Sequence, residues 1–166
     1  MFAPTYLALL SVCASWVSSA AVLVNIPAFG ITQLRILQLH GGNTTISFTV
    51  HDPNPLANAT QTCTGRWTTN ISNYPQGTYQ QCGNSTLAWN MQSFVDISDF
   101  QLGVEHLFRD PKVGVYPYDM IINFGKAVVN ESSCACSALG GFASCQQRTG
   151  KILHAPVYAS VAKRKS

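Results

Sequence analysis

The residues of this 166-residue chain whose types could do chemistry are six cysteines, four histidines and seven acids. The histidines, His40, His51, His106 and His154, belong to no nucleophile elbow, no HExxH helix and no phosphate-cradling glycine loop. His51 is followed by Asp52, but neighbours on a strand point to opposite faces, so adjacency in sequence does not pair them. The nearest thing to a glycosidase pair is Asp96 with Asp99 or Glu105. Asp99 and Glu105 share the polar side of one expected strand, and that side reads as a solvated outer face with His106 on the other. Cys134, Cys136, Cys145 and His154 could be collected as a zinc set. Their spacing fits no zinc pattern, however, and thiols outside the cell oxidise first. The expectation is a protein that is not an enzyme and carries no cofactor or metal.

Four aromatic residues are candidates for stacking on a ligand: Trp67, Trp89, Tyr116 and Tyr118. Core or rim packing is the plainer reading of the tryptophans. Tyr116-Pro117-Tyr118 reads as a turn that displays its side chains, so Tyr116 and Tyr118 are the binding candidates.

The compartment follows from the N-terminus. An apolar run from Tyr6 to Val17, too short to span a bilayer, ends in Ser18-Ser19-Ala20, the small residues that signal peptidase requires. Residues 1–20 are therefore expected to be a signal peptide, 21–162 a single domain and 163–166 a basic tail. Along that route Asn-X-Ser/Thr becomes meaningful, and five sequons mark Asn43, Asn58, Asn70, Asn84 and Asn130 as glycosylation candidates. Export also predicts disulfides. Cys13 leaves with the signal, so five cysteines remain. Cys63 and Cys82 lie on successive expected strands joined by a Pro75-Gln76-Gly77 turn, and a cross-strand bridge is their simplest use. Cys134 and Cys136 point the same way along a strand, so Cys145 takes one of them, Cys136 or alternatively Cys134. The other is left free or bonded to a second chain, which leaves a monomer or a disulfide-linked dimer.

Charge excludes one class of partner. Lys163, Arg164 and Lys165 supply the whole net charge of +3, and residues 21–162 balance seven basic against seven acidic side chains. A neutral body without a basic stripe does not bind nucleic acid through phosphate neutralisation. No later segment is long and apolar enough to span a membrane as a helix.

The elements that must position these residues are strands. Ile46, Phe48 and Val50 alternate with Ser47, Thr49 and His51 before Asp52-Pro53-Asn54-Pro55 stops the run. Phe100, Leu102 and Val104 alternate with polar residues over 98–108, and 119–130 reads as a third strand in which Gly125 marks a bulge. Weaker strands are expected at 31–39, 61–67, 78–82, 86–91, 113–116, 143–147 and 152–161. Ile31, Leu34 and Leu37 recur at helical spacing, but the segment is short, lacks an N-cap and stops at Gly41-Gly42, so it is taken as a strand. About ten short strands with tight turns imply an all-β fold, a single antiparallel barrel or sandwich.

The order of these features resembles a family: an N-terminal strand, a Phe-containing alternating strand, Cys63-Thr64-Gly65-Arg66-Trp67, Tyr79 to Cys82, an amphipathic strand pair, late cysteines and a hydrophobic C-terminal strand. Over about residues 30–161 the chain is similar to the secreted fungal family of the major Alternaria allergen. That resemblance implies a compact β-barrel with two disulfides, Cys63 with Cys82 and either Cys134 or Cys136 with Cys145. Residues 21–62 contain no cysteine, so the family's N-terminal intermolecular bridge does not carry over. The resemblance further implies a fungal effector that binds a host extracellular protein, such as a thaumatin-like plant defence protein. A carrier of a small aromatic ligand such as a flavonoid is the alternative, and a wall-carbohydrate hydrolase using Asp99 or Glu105 comes third.

Overall fold

Alternation of apolar and polar residues at the two-residue period of a strand governs the longer strands, which turn their apolar side to one interior. The computed structural model describes residues 28–69 and 73–162. The signal peptide, the Asn70 sequon and the basic tail lie outside the described residues. Ten strands form: β1 Ala28–Leu39, β2 Asn43–His51, β3 Thr60–Thr68, β4 Gln80–Gln81, β5 Leu87–Asp96, β6 Asp99–Arg109, β7 Met120–Val129, β8 Cys134–Leu139, β9 Phe142–Gln147 and β10 Leu153–Ala162. Every pairing is antiparallel, in the order β3-β2-β1-β10-β7-β6-β5-β4, and the sheet curls into a nearly closed barrel.

Strand β1 explains its own misleading spacing. Phe29 and Ile31 point inward, then Leu34 and Ile36 do, so the inward frame slips by one residue between them. A bulge at Thr32–Arg35, with Gln33 at φ 57°, makes the slip. The three-residue step from Ile31 to Leu34 that resembles a helix is thus a strand with one extra residue. The bulge also forks the sheet: residues 28–31 pair with β10, whereas residues 35–39 pair with β9.

At the fork the edge of β1 away from β2 has no strand beside it, and Gln147 takes that place. Its Oε1 accepts from Leu34 N–H at 2.9 Å, and its Nε2 donates to the carbonyls of Ile31 at 2.9 Å and Lys151 at 3.0 Å. Gln147→Ala is expected to cost about 1 to 3 kcal/mol by stripping these partly buried backbone groups of partners. Hydrogen exchange at Leu34 checks it, since the loss of protection should concentrate there.

The two outer strands of the path, β3 and β4, meet through side chains. The disulfide Cys63–Cys82 joins β3 to the residue after β4. Beside it Gly65 lies flat on the indole of Trp89: a Cβ at Gly65 would come within 2.5 Å of that ring. Trp89 is fully buried and meets Phe48 edge to face at 5.3 Å. With Phe29, Phe100, Leu102 and Met91, these residues fill the barrel interior.

Three local expectations are corrected. Residues 113–116 form turns instead of a strand, because Pro111 and Pro117 cannot donate to a ladder and Asp110 captures the backbone of Lys112 and Val113. The strand that carries Cys134 and Cys136 extends over 134–139, further than the cysteines alone indicate; it is mostly exposed and is folded onto β9 by Gly140 and Gly141, both at positive φ. The bulge expected at Gly125 sits across from it, on β10: Val157 faces Gly125 and Ala159 faces Phe124, leaving Tyr158 as the extra residue. Gly125 is required for a different reason, since a Cβ there would meet the Phe29 ring at 2.6 Å and the Ala155 carbonyl at 2.8 Å.

Candidate functional site

The β6–β7 connection, residues 110–119, is a loop built to hold its shape. Asp110 N–H donates to the Asp119 carbonyl at 2.8 Å, and Asp110 Oδ1 accepts from Lys112 N–H at 2.9 Å. Val113 N–H returns to the Asp110 carbonyl at 3.1 Å, and Tyr118 N–H reaches that of Val115 at 2.7 Å. The chain doubles back so closely at Gly114 that a Cβ there would lie 2.8 Å from the Tyr118 carbonyl oxygen. Arg109, at the end of β6, places both Nε and Nη2 at 2.6 Å from Oδ2 of the buried Asp119. The same guanidinium lies over the Tyr116 ring, 5.4 Å from its centroid.

This bracing presents Val115, 79 % exposed, and Tyr116, 72 % exposed, at the tip. Tyr118 is half-buried and contributes less. Aromatic and Arg side chains on a rigid support are what protein interfaces use as anchors, because little conformational freedom is lost when they dock.

The other aromatic candidates are core. Trp89 is fully enclosed and Trp67 nearly so, and neither offers a face to a ligand. Cys136 pairs with Cys145, which removes both from any metal set, and among the described residues no group of three His, Cys, Asp or Glu could hold an ion. Among the described residues Cys134 is the free thiol, and at only 2 % exposed it is not displayed for a bond to a second chain. Burial pushes its pKa up, away from the reactive thiolate. Among the sequons, Asn58, Asn84 and Asn130 are exposed, whereas Asn43 is half-buried with its amide oxygen turned to Arg66 Nη2 at 2.6 Å.

The acids do not assemble into a glycosidase pair. Asp99 and Glu105 stand six residues apart on one strand, roughly 20 Å at the usual strand rise, beyond the separation either stereochemical course uses. Asp96 is committed to the β5–β6 turn, where Oδ1 accepts from Ser98 N–H at 2.6 Å and Ser98 Oγ at 2.7 Å. Those bonds hold its pKa below the ordinary value, the wrong direction for a general acid. His40, His51 and His154 are exposed, and His51 Nδ1 meets Thr60 Oγ1 at 2.8 Å.

His106 is different. Its Nδ1 lies 2.6 Å from Asp52 Oδ2 and its Nε2 3.0 Å from Thr86 Oγ1, the connectivity of a hydroxyl–imidazole–carboxylate array. Sequence gave no signal for it, because Asp52 is 54 positions from His106. His51 and Asp52 do point to opposite faces, and it is Asp52 that turns inward. The array is nevertheless poorly placed for substrate: His106 is 2 % exposed and its ring packs 5.7 Å from that of Phe108. Its evident work is to clasp the end of β2 to β6 and to the residue before β5.

The sequence matches no family model and no curated protein. Two disulfides are compatible with an extracellular protein, and no helix among the described residues is long and apolar enough to cross a membrane.

Proposed function

We propose that this chain is a secreted, glycosylated, non-enzymatic fungal protein of the allergen-like type, which acts as an effector by binding a host extracellular protein through loop 110–119. The observation that carries the reading is Arg109, which ties the loop to buried Asp119 and supports the exposed Tyr116 ring from below. A plant defence protein of the thaumatin-like kind is the partner that the family resemblance suggests.

The carrier reading has less support. Phe48, Trp89, Phe100 and Met91 fill the barrel, so an aromatic ligand inside it would have to displace the core. A hydrolase of wall carbohydrate is disfavoured by the spacing of Asp99 and Glu105.

The test is capture from plant apoplastic fluid by the mature protein and by its Tyr116→Ala variant, followed by interferometry on the purified partner. Tyr116→Ala is expected to weaken binding at least tenfold, the loss that truncating an interface anchor produces. Equal capture by both proteins would move the interface off this loop.

A further inference from the structure

A second surface lies on the opposite flank of β6 and β7 from the barrel core. We propose that the cleft between Tyr79, Phe124 and Tyr158, on the outer face of the β10-β7-β6-β5 stretch, binds a neutral oligosaccharide.

The bulge in β10 creates this surface. Before it, Leu153, Ala155 and Val157 point to the core side; after it the frame has slipped, and Ala159 faces Phe124 and Val161 faces Ile122. Tyr158, the extra residue, is turned outward and is 60 % exposed. A bulge re-aims side chains, and this one re-aims a tyrosine to stand beside a phenylalanine. Phe124 and Tyr158 have ring centroids 6.5 Å apart at 36°, and Tyr79 meets Phe124 at 5.8 Å and 58°. The three rings thus form a turning series along the surface. Beside them lies a cleft of about 420 Å³ that opens to solvent.

One wall of the cleft is polar, and it is held in place. Asn90, only 3 % exposed, accepts from Gln92 Nε2 at 2.8 Å and donates to the Gly77 carbonyl at 3.3 Å. It thereby fixes the exposed Gln92 amide at the rim, where Gln92 Nε2 also reaches the Tyr79 hydroxyl at 3.5 Å. Gly103 beneath them has no room for a side chain: a Cβ would come 2.5 Å from Gln92 Nε2 and 3.1 Å from the Tyr79 hydroxyl. Glu105, directly opposite Phe124 in the ladder, stands next to the cleft with a half-buried carboxyl whose pKa is raised by desolvation.

This combination selects the ligand class. A pyranose ring is two-sided, with C–H faces that stack on aromatic rings and an equatorial rim of hydroxyls that both donate and accept. The rings meet the first requirement, and the Gln92 amide and the Tyr79 hydroxyl meet the second. No Lys, Arg or His is among the residues that line the cleft, so an anionic ligand would find no countercharge there. A planar apolar one would leave these polar groups unpaired as it covered them. An open cleft running past three successive rings also suits a chain of sugars better than a single compact molecule.

Saturation-transfer NMR and titration calorimetry on the mature protein, with cellohexaose, xylohexaose and chitohexaose offered separately, test the proposal. Quercetin serves as a planar phenolic comparison. At least one hexaose is expected to bind, with affinity falling tenfold or more in Tyr158→Ala and about fivefold in Gln92→Ala. Tyr158 is exposed, so Tyr158→Ala should keep the wild-type melting temperature, whereas Gln92→Ala takes a partner from buried Asn90 and should lower it slightly; Tyr116→Ala should bind the sugar normally. Failure of all three hexaoses to bind at millimolar concentration would overturn the proposal. So would binding that is indifferent to Tyr158→Ala, or binding of quercetin alone.

Discussion

Asp52→Ala is expected to cost about 3 to 5 kcal/mol, the usual penalty for removing one member of a buried pair, and to lower the melting temperature by roughly 10 °C or more. The carboxylate has two tasks. Its Oδ2 meets His106 at 2.6 Å, and its Oδ1 accepts from Asn54 N–H at 2.9 Å to turn the chain out of β2. Both Asp52 and His106 are 2 % exposed, so alanine leaves a buried imidazole nitrogen without its partner. Asp52→Asn keeps an acceptor oxygen and should cost less. Replacing the pair together, as Asp52→Leu with His106→Phe, should recover part of the loss, because no polar group is then stranded. Urea denaturation of Asp52→Leu, of His106→Phe and of the double variant gives the coupling energy directly. A loss below about 1 kcal/mol in Asp52→Ala would mean that the barrel end is held by β-ladder bonds alone.

The cost of that one residue illustrates what could be read from the chain and what could not. In β2, and in β6 as far as Val104, the apolar positions alternate without interruption, so Phe48 and Leu102 announce both their strand and their buried face. In β1 and β10 a bulge breaks the alternation, and a single-residue slip looks like helical spacing at Ile31 and Leu34 or like irregularity at Tyr158. The aromatic cleft was hidden by the second of these slips. The loop at 113–116 was misread because Val113, Val115 and Tyr116 have the composition of a strand, yet they are held outward by Arg109, Asp110 and Asp119. The His106 array was out of reach, since nothing local ties position 106 to position 52. The choice between Cys134 and Cys136 was closer to legible: in the hairpin turned by Gly140 and Gly141, Leu139 faces Phe142, and counting outward three residues on each strand brings Cys136 opposite Cys145. Cys134 falls opposite Gln147, the residue that plugs the fork, and so stays free.

Removing Cys63 and Cys82 together, both to alanine, should cost about 3 kcal/mol by the loop-closure argument for a 19-residue separation. The site makes the consequence larger than the number suggests. Every other neighbouring pair along the sheet path is held by a ladder of backbone hydrogen bonds, whereas β3 and β4 stand at opposite ends of that path. The bridge is therefore the covalent part of the barrel seam, and the packing of Gly65 on Trp89 is the other part. Cys136–Cys145 spans 9 residues within a hairpin that the Gly140 and Gly141 turn already closes. Its removal should cost less, with about 2.5 kcal/mol as the upper bound. The two double variants should also differ in kind. Loss of Cys63–Cys82 should raise hydrogen exchange in both β3 and β5 and expose the Trp89 indole to quenchers, since water then enters along the seam. Loss of Cys136–Cys145 should raise exchange in β8 and β9 and leave Trp89 silent. Equal Trp89 quenching in the two variants would show that the seam is closed by packing and that the disulfide only decorates it.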